Sequence, residues 1–322
     1  CRIDEIDFTG FEFEEALFLR EEGFFIQILH RIAYLSEKIT MTKYLIGFFL
    51  LTMVLPIASA QTTLNVISYN IRLNTPSDEL NGWPYRKEAV MDQLKMYQAD
   101  IFGVQEALID QMNDLRKGMP EYQSVGAGRD DGKEKGEFSA IFFLKSRFEL
   151  LDGGTFWLSE TPEIPSKGWD AALNRVCSWA ELKDKATGQC FCVFNTHFDH
   201  IGVKARAESA NLILQKINEL ALKDKPVILT GDFNLTPDEL PIQLIVKQMS
   251  DSRQVSKAKP TGTDGTFNGF KPDVIPTERI DYIFVNQIVD VAEYHVLNDL
   301  KADGRVISDH FPVLSRLILK NH

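Results

Sequence analysis

Val227-Ile228-Leu229-Thr230-Gly231-Asp232-Phe233-Asn234 is the stretch on which the reading of this chain turns. A short apolar run describes a buried strand, Gly231 permits a tight turn, and a carboxylate and a carboxamide follow two residues apart. That spacing puts Asp232 and Asn234 on one side of the turn. An isolated Asp-x-Asn triplet is most often an ordinary Asx turn, so its meaning depends on what neighbouring strands deliver to the same place.

Working outward, short apolar runs predict further strands over Leu64–Tyr69, Ile101–Val104, Ser139–Leu144, Val176–Leu182, Cys190–Thr196, Ile280–Val285 and Val313–Leu319. Apolar residues at three- and four-residue steps predict helices over Arg86–Tyr97, Ala107–Lys117, Lys204–Leu222 and Leu240–Gln248. Strands mixed with helices imply layered α/β packing, and no linker or repeat divides residues 61–322, so one domain is expected there. Costly polar residues follow the strands: Asn70 after Tyr69, Glu106 after Val104, His197 after Thr196, and Asp232 with Asn234 after Thr230. Strand ends in such sheets share a rim. Acceptors gathered there repel one another unless a cation lies among them.

Two further segments supply proton chemistry. Phe194-Asn195-Thr196-His197-Phe198-Asp199-His200 ends a strand on a histidine able to meet a phosphoryl oxygen, with His200 given no more than a supporting role. Arg279-Ile280-Asp281-Tyr282-Ile283 and Ser308-Asp309-His310 form a pair if Asp281 lies beside His310, since the carboxylate then fixes the imidazole tautomer and raises its basicity. His310 is thereby a candidate to deprotonate water.

The formal charge is −11; residues 61–322 carry 30 Lys+Arg and 37 Asp+Glu, a balance of −7. That balance argues against charge-driven binding to long duplex nucleic acid, which relies on many lysine and arginine contacts to phosphate. At the N-terminal end, Met41-Thr42-Lys43, an apolar run Tyr44–Leu55 and the small-residue exit Pro56-Ile57-Ala58-Ser59-Ala60 describe a signal peptide over residues 41–60. The run is shorter than the ~20 residues a bilayer span needs. Export to the periplasm or medium without stable membrane insertion is therefore expected, with residues 1–40 an upstream or mis-assigned start. A hairpin around Asp184–Gly188 would set Cys177 near Asn195, away from Cys190, and Cys190 and Cys192 share one strand face. All three are expected to be buried small apolar residues rather than bridges or metal ligands.

Taken in order, Ser68-Tyr69-Asn70-Ile71-Arg72, Val104-Gln105-Glu106, Asn195-Thr196-His197, Gly231-Asp232-Phe233-Asn234, Arg279-Ile280-Asp281-Tyr282-Ile283 and Ser308-Asp309-His310 resemble the endonuclease/exonuclease/phosphatase superfamily from Leu64 to about Leu319. The nearest branch is exported bacterial members, with a distant similarity to the deadenylase and nocturnin catalytic domains. The resemblance implies a four-layered α/β/β/α sandwich, two mixed β-sheets packed face to face with outer helices, and hydrolysis of phosphate esters with Mg²⁺ or Mn²⁺. By matching position it implies Glu106 as principal metal ligand with Asn70 and Asp309 beside it. It also implies that Asp232 orients water, Asn234 holds a phosphate oxygen, His197 contacts the scissile phosphate, and His310, braced by Asp281, acts as base or stabiliser. Family members differ on whether His310 or Asp232 is the base.

On the substrate side, Asn70, Trp83, Arg129, Arg206 and Phe267 are candidates, because arginine grips phosphate in a two-pronged fashion and aromatic rings stack on a base or sugar. Surface ion pairing and core packing account for the same residue types equally well. The expected partner is a nucleotide-like or small phosphorylated molecule, met by a monomer. Two other classes share parts of the pattern: a metal-independent retaining glycosidase using Glu106 and Asp232, and a non-catalytic binding protein on the same fold.

Overall fold

The computed structural model describes residues 22–52, 61–220 and 224–320. The chain divides into two compact units, residues 1–58 and 59–322. In the first, a helix α1 spans Glu22–Thr52. Among the described residues no helix is long and apolar enough to cross a membrane. The expected signal-peptide exit, Pro56–Ala60, lies outside the described residues.

The second unit contains two six-stranded sheets. The first is ordered β11 (Val289–Val296), β12 (Val313–Leu319), β1 (Thr63–Asn70), β2 (Ile101–Ala107), β4 (Phe138–Leu144), β3 (Tyr122–Val125). The second runs β5 (Phe148–Trp157), β6 (Val176–Asp184), β7 (Cys190–His197), β8 (Val227–Asp232), β10 (Asp281–Val285), β9 (Ser250–Asp251). Each sheet is built the same way. A central parallel pair, β1 with β2 and β7 with β8, is flanked by antiparallel strands. Parallel neighbours need a crossover, supplied by α2 (Lys87–Met96) in the first sheet and α4 (Val203–Glu219) in the second.

Period-two alternation then fixes the layers. Leu64 and Val66 of β1, Ile141 and Phe143 of β4, Phe191 and Val193 of β7, and Ile283 and Val285 of β10 pack together between the sheets. The intervening residues turn outward: Ile67 and Tyr69 meet Val90, Met91 and Leu94 of α2 and Met112 and Leu115 of α3 (Ile109–Gly118). Cys192, Phe194, Tyr282 and Phe284 meet Ile213 and Leu214 of α4 and Ile242 and Ile245 of α5 (Leu240–Val246). Helix, sheet, sheet and helix therefore form the expected four-layered sandwich.

The inward faces change character along the strands, and that change builds the site. On β1 the inward residues read Leu64, Val66, Ser68, Asn70; on β7 they read Phe191, Val193, Asn195, His197; on β8, Ile228, Thr230, Asp232. An apolar floor gives way to a buried polar layer and then to a charged rim. In the polar layer, Asn195 accepts from Gln105 Nε2 at 2.7 Å and Thr230 Oγ1 at 2.9 Å. Its own Nδ2 donates across the sheets to Val104 O at 2.9 Å and Ala140 O at 3.0 Å. Gly103 makes this approach attainable, since a Cβ there would stand 2.5 Å from Asn195 Oδ1.

Some expectations are corrected. β3, β5, β9 and β11 go beyond the expected strands: β3 and β9 are short, Gly153-Gly154 interrupts β5, and Asp290 and Glu293 sit in β11. The helix expected over Lys204–Leu222 has its observed end at Glu219, and its last expected residues fall outside the described ones. The hairpin around Asp184–Gly188 is present, with Cys177 opposite Thr196. No cysteine is bridged among the described residues; Cys177 and Cys192 are buried, whereas Cys190, at the start of β7, is half-buried.

Candidate functional site

The rim lies where the parallel strands end and their antiparallel neighbours begin. Asn70 ends β1, His197 ends β7 and Asp232 ends β8, while Asp281 opens β10 and His310 lies just before β12. Glu106 needs a separate device. Alternation alone would turn it to the outer face of β2, but the pairing with β4 slips between Val104 and Ala107 and Glu106 takes a left-handed backbone, φ 63°. This bulge re-aims its carboxylate into the rim.

Asn70 joins the two sheets there, its Nδ2 donating to Glu106 Oε1 at 3.0 Å and to Asp232 Oδ2 at 2.9 Å. Asp232 Oδ1 accepts from the Asn234 backbone at 2.9 Å, and Asn234, also left-handed at φ 52°, donates from Nδ2 to Phe198 O and to His197 Nε2, each at 3.0 Å. The His197 proton is thereby placed on Nδ1, which faces Glu137 at 3.8 Å. His310 donates from Nδ1 to Asp281 Oδ2 at 2.9 Å and turns Nε2 toward Asp232 Oδ2, 3.8 Å away. Asp309 is buried beside it, 3.8 Å from the Arg72 guanidinium, which also stands 3.7 Å from Glu106.

The electrostatics follow from register and burial. Asp281 pairs directly with Asp232 across the antiparallel ladder, so two buried carboxylates are neighbours. Burial first, and then Asp281, push Asp232 up to about 7. Burial opposes charge on His310, yet Asp281 and Asp232 outweigh it and hold the imidazole protonated well above its ordinary range. His197 moves the other way: burial, then Arg175 and Arg129, keep it neutral. Asp309 is raised, by burial and by Glu106, against the opposing pull of His310 and Arg72.

These groups open onto a cavity of about 460 Å³ lined by Glu106, His197, Asp232, Asn234, Asp309 and His310, with Arg72, Glu137, Arg175, His200, Glu278 and Phe267 around them. The expected rim residues are thus brought together. Phe267 lies against His310, ring centroids 5.1 Å apart, and is 41% exposed. Asn70 is at the rim, but the remaining substrate-side candidates sit elsewhere. Trp83, 2% exposed, packs against α2 and α3 and donates to Asp114 at 2.9 Å. Arg129 is paired with Glu137 at 2.6 Å, and Arg206 donates to the Asp199 backbone at 3.3 Å; none of the three lines the cavity. The Trp83–Arg86 segment is a brace, because buried Arg86 donates to Ile71 O at 2.9 Å and Ile307 O at 3.1 Å, tying down the loops that carry Arg72 and Asp309.

Sequence reasoning left Arg72, Glu137 and Arg175 without a role and undervalued His200. Glu137 and Arg175 immediately precede β4 and β6. Their signal was therefore positional: a residue just before an antiparallel strand reaches the same rim as one just after its parallel neighbour.

Comparison with known proteins agrees with this geometry. The model of the endonuclease/exonuclease/phosphatase family matches residues 67–310. A structure of a family member from Bacteroides thetaiotaomicron is 42% identical, covering 81% of this chain and 99% of that one, with a TM-score of 0.78. The mannosyl-6-phosphatase of Bacteroides thetaiotaomicron is 43% identical, covering 80% of this chain and 100% of its own, TM-score 0.77. The human nocturnin catalytic domain shares the fold alone, at 18% identity and TM-score 0.63 over 83% of this chain and all of that one. With rim, layers and relatives in agreement, the chain belongs to the endonuclease/exonuclease/phosphatase family.

Proposed function

We propose that this chain is an exported, monomeric, divalent-metal-dependent hydrolase that cleaves a compact phosphate ester by in-line attack of water. The observation that carries the reading is one rim holding Glu106, Asp232, Asp309, His197 and His310, while no serine, threonine or cysteine lines the cavity among the described residues. Water is the proposed nucleophile.

The donor set fits a hard cation. Glu106, His197 and Asp232 bring ligand atoms within 4.8 Å of one another, and Asp309 is a buried carboxyl raised partly by Glu106. Carboxylate and carboxamide oxygens of this kind suit Mg²⁺ or Mn²⁺. Glu106, Asn70 and Asp309 would hold the ion, which supplies charge neutralisation at the phosphoryl and leaving oxygens. The protein's own groups do the rest. Asp232, poised near neutrality, accepts the proton of the attacking water. His310, already protonated by its carboxylate neighbours, serves as a fixed cation and donor toward the phosphoryl group. Neutral His197, its ring fixed by Asn234, stands beside the phosphoryl group. On this division Asp232 is the proposed base.

Support for a small ester comes from the cavity of about 460 Å³ and the acidic net charge. The 43%-identical mannosyl-6-phosphatase favours a phosphorylated sugar. Family membership displaces the glycosidase alternative, and the complete rim displaces the non-catalytic one. Export rests on the Met41–Ala60 pattern. The test is a screen of sugar phosphates, nucleotides, phosphoinositides, RNA and single-stranded DNA with Mg²⁺ and with EDTA. Turnover of sugar phosphates that EDTA abolishes is expected; turnover that survives EDTA overturns the reading.

A further inference from the structure

The wall of the cavity beyond His197 carries a guanidinium that the chemistry above does not use. Arg175, the residue before β6, is 5% exposed and lines the cavity. Its Nε lies 3.4 Å from Asp199 Oδ2 and its Nη2 3.1 Å from His200 Nδ1, while Nη1 is buried without a hydrogen-bond partner. Behind it Arg129, 8% exposed, spends its Nη1 on Glu137 and leaves Nε buried and unpaired.

Two guanidiniums so placed repel each other; Arg175 is lowered by burial first and by Arg129 next. A buried donor of a charged group left without a partner is costly. Asp199 and Glu137 balance the two charges but do not occupy every donor. Asp199 is already committed, its Oδ1 accepting from Ile201 N at 3.0 Å and Gly202 N at 2.7 Å. Glu137 serves Arg129, and neutral His197 adds no negative charge. Arg175 Nη1 is therefore the donor still available to an incoming anion.

The ester class follows from counting oxygens. A phosphate diester has two non-bridging oxygens and one negative charge, whereas a monoester has three terminal oxygens and a second ionisation near neutrality. His310 Nε2 offers a donor for one of them at the rim. We infer that Arg175 is the specificity-determining residue of this site, an anion clamp for the extra terminal oxygen of a phosphate monoester. The inference rests on the phosphoester reading and narrows it from esters in general to monoesters.

The test uses p-nitrophenyl phosphate and bis(p-nitrophenyl) phosphate as paired substrates, with inorganic phosphate binding measured by calorimetry, on wild type, Arg175→Gln and Arg175→Lys. Removing one charge-assisted donor is worth roughly 10- to 100-fold. Arg175→Gln is expected to lose that factor in kcat/KM for the monoester and in phosphate affinity, and less than about threefold for the diester. Arg175→Lys, which keeps the charge and loses the fork, falls between; it also decides the matter if Arg175→Gln does not fold. Parallel losses on both esters, or unchanged phosphate affinity, overturn the inference. Wild-type protein that hydrolyses neither ester overturns the hydrolase reading instead, and the phosphate titration still decides whether Arg175 is the anion clamp.

Discussion

Replacing Asn195 by leucine tests how the site is held up. Asn195 is fully buried and makes four hydrogen bonds, two of them to carbonyls of the opposite sheet, Val104 O and Ala140 O, and two accepted from Gln105 and Thr230. Each such bond contributes about 0.5–1.5 kcal/mol net, and each buried group stranded by the change costs about 1–3 kcal/mol. Thr230 keeps a second acceptor, Phe194 O at 3.0 Å, and Gln105 keeps a longer contact to Ser68 at 3.3 Å, so the carbonyls and the lost bonds carry most of the penalty. Leucine recovers roughly 1–2 kcal/mol by burying apolar surface. The balance is a loss of about 3–5 kcal/mol, or a Tm drop of roughly 6–20 °C at about 2–4 °C per kcal/mol for a domain of this size. Urea unfolding followed by tryptophan fluorescence and circular dichroism in parallel reads the difference directly. Ser68→Ala, which removes only the 3.3 Å contact, is the matched control and is expected to cost less than about 1 kcal/mol. A loss below about 1 kcal/mol for Asn195→Leu would refute the idea that this polar layer staples the two sheets.

Three other outcomes are expected. Gly103→Ala puts a Cβ 2.5 Å from Asn195 Oδ1 and 2.6 Å from Thr230 Oγ1, so it should cost about 1–3 kcal/mol in the same unfolding assay despite adding one methyl. Trp83→Phe removes the bond to Asp114 from a core residue; its stability should fall by about 1 kcal/mol with kcat/KM unchanged, and lost activity at intact stability would return Trp83 to the site. His197 is neutral in the fold and takes a proton near its ordinary pKa when unfolded. The unfolded state therefore binds more protons below about pH 6.5, and stability is lost as pH falls through that value. His197→Gln should flatten the stability slope of EDTA-treated protein between about pH 5 and 6.5 by up to about 1.4 kcal/mol per pH unit; parallel slopes would show His197 already charged in the fold.

Much of this was legible in the sequence, and the exceptions have physical causes. Strands β1, β7, β8 and β10 announced themselves because their outward and inward faces are both apolar near the floor, and the residues closing them were the rim residues themselves. β5 and β11 did not, since each is partly exposed and carries polar or glycine residues. Glu106 was found by motif alone; its inward aim depends on a bulge and a left-handed backbone that alternation cannot foresee. Arg175 and Glu137 are not marked by strand ends, because antiparallel neighbours reach the rim with their beginnings. Trp83 and Arg206 were chosen for what their side chains can do. The fold spends them on packing and bracing, a choice that depends on long-range contacts one sequence does not display.

The central claim is that Glu106 and its neighbours hold a divalent ion against a phosphate ester, and a Mg²⁺ titration of EDTA-treated protein tests it most directly. With p-nitrophenyl phosphate as substrate, wild type should be inactive in EDTA and recover saturably as Mg²⁺ is added. Glu106→Gln, which keeps the shape and removes the charge, should need far more Mg²⁺ and lose at least ~10²-fold in kcat. Hydrolysis by wild type that ignores EDTA, or a Glu106→Gln titration superimposable on wild type, would contradict the account.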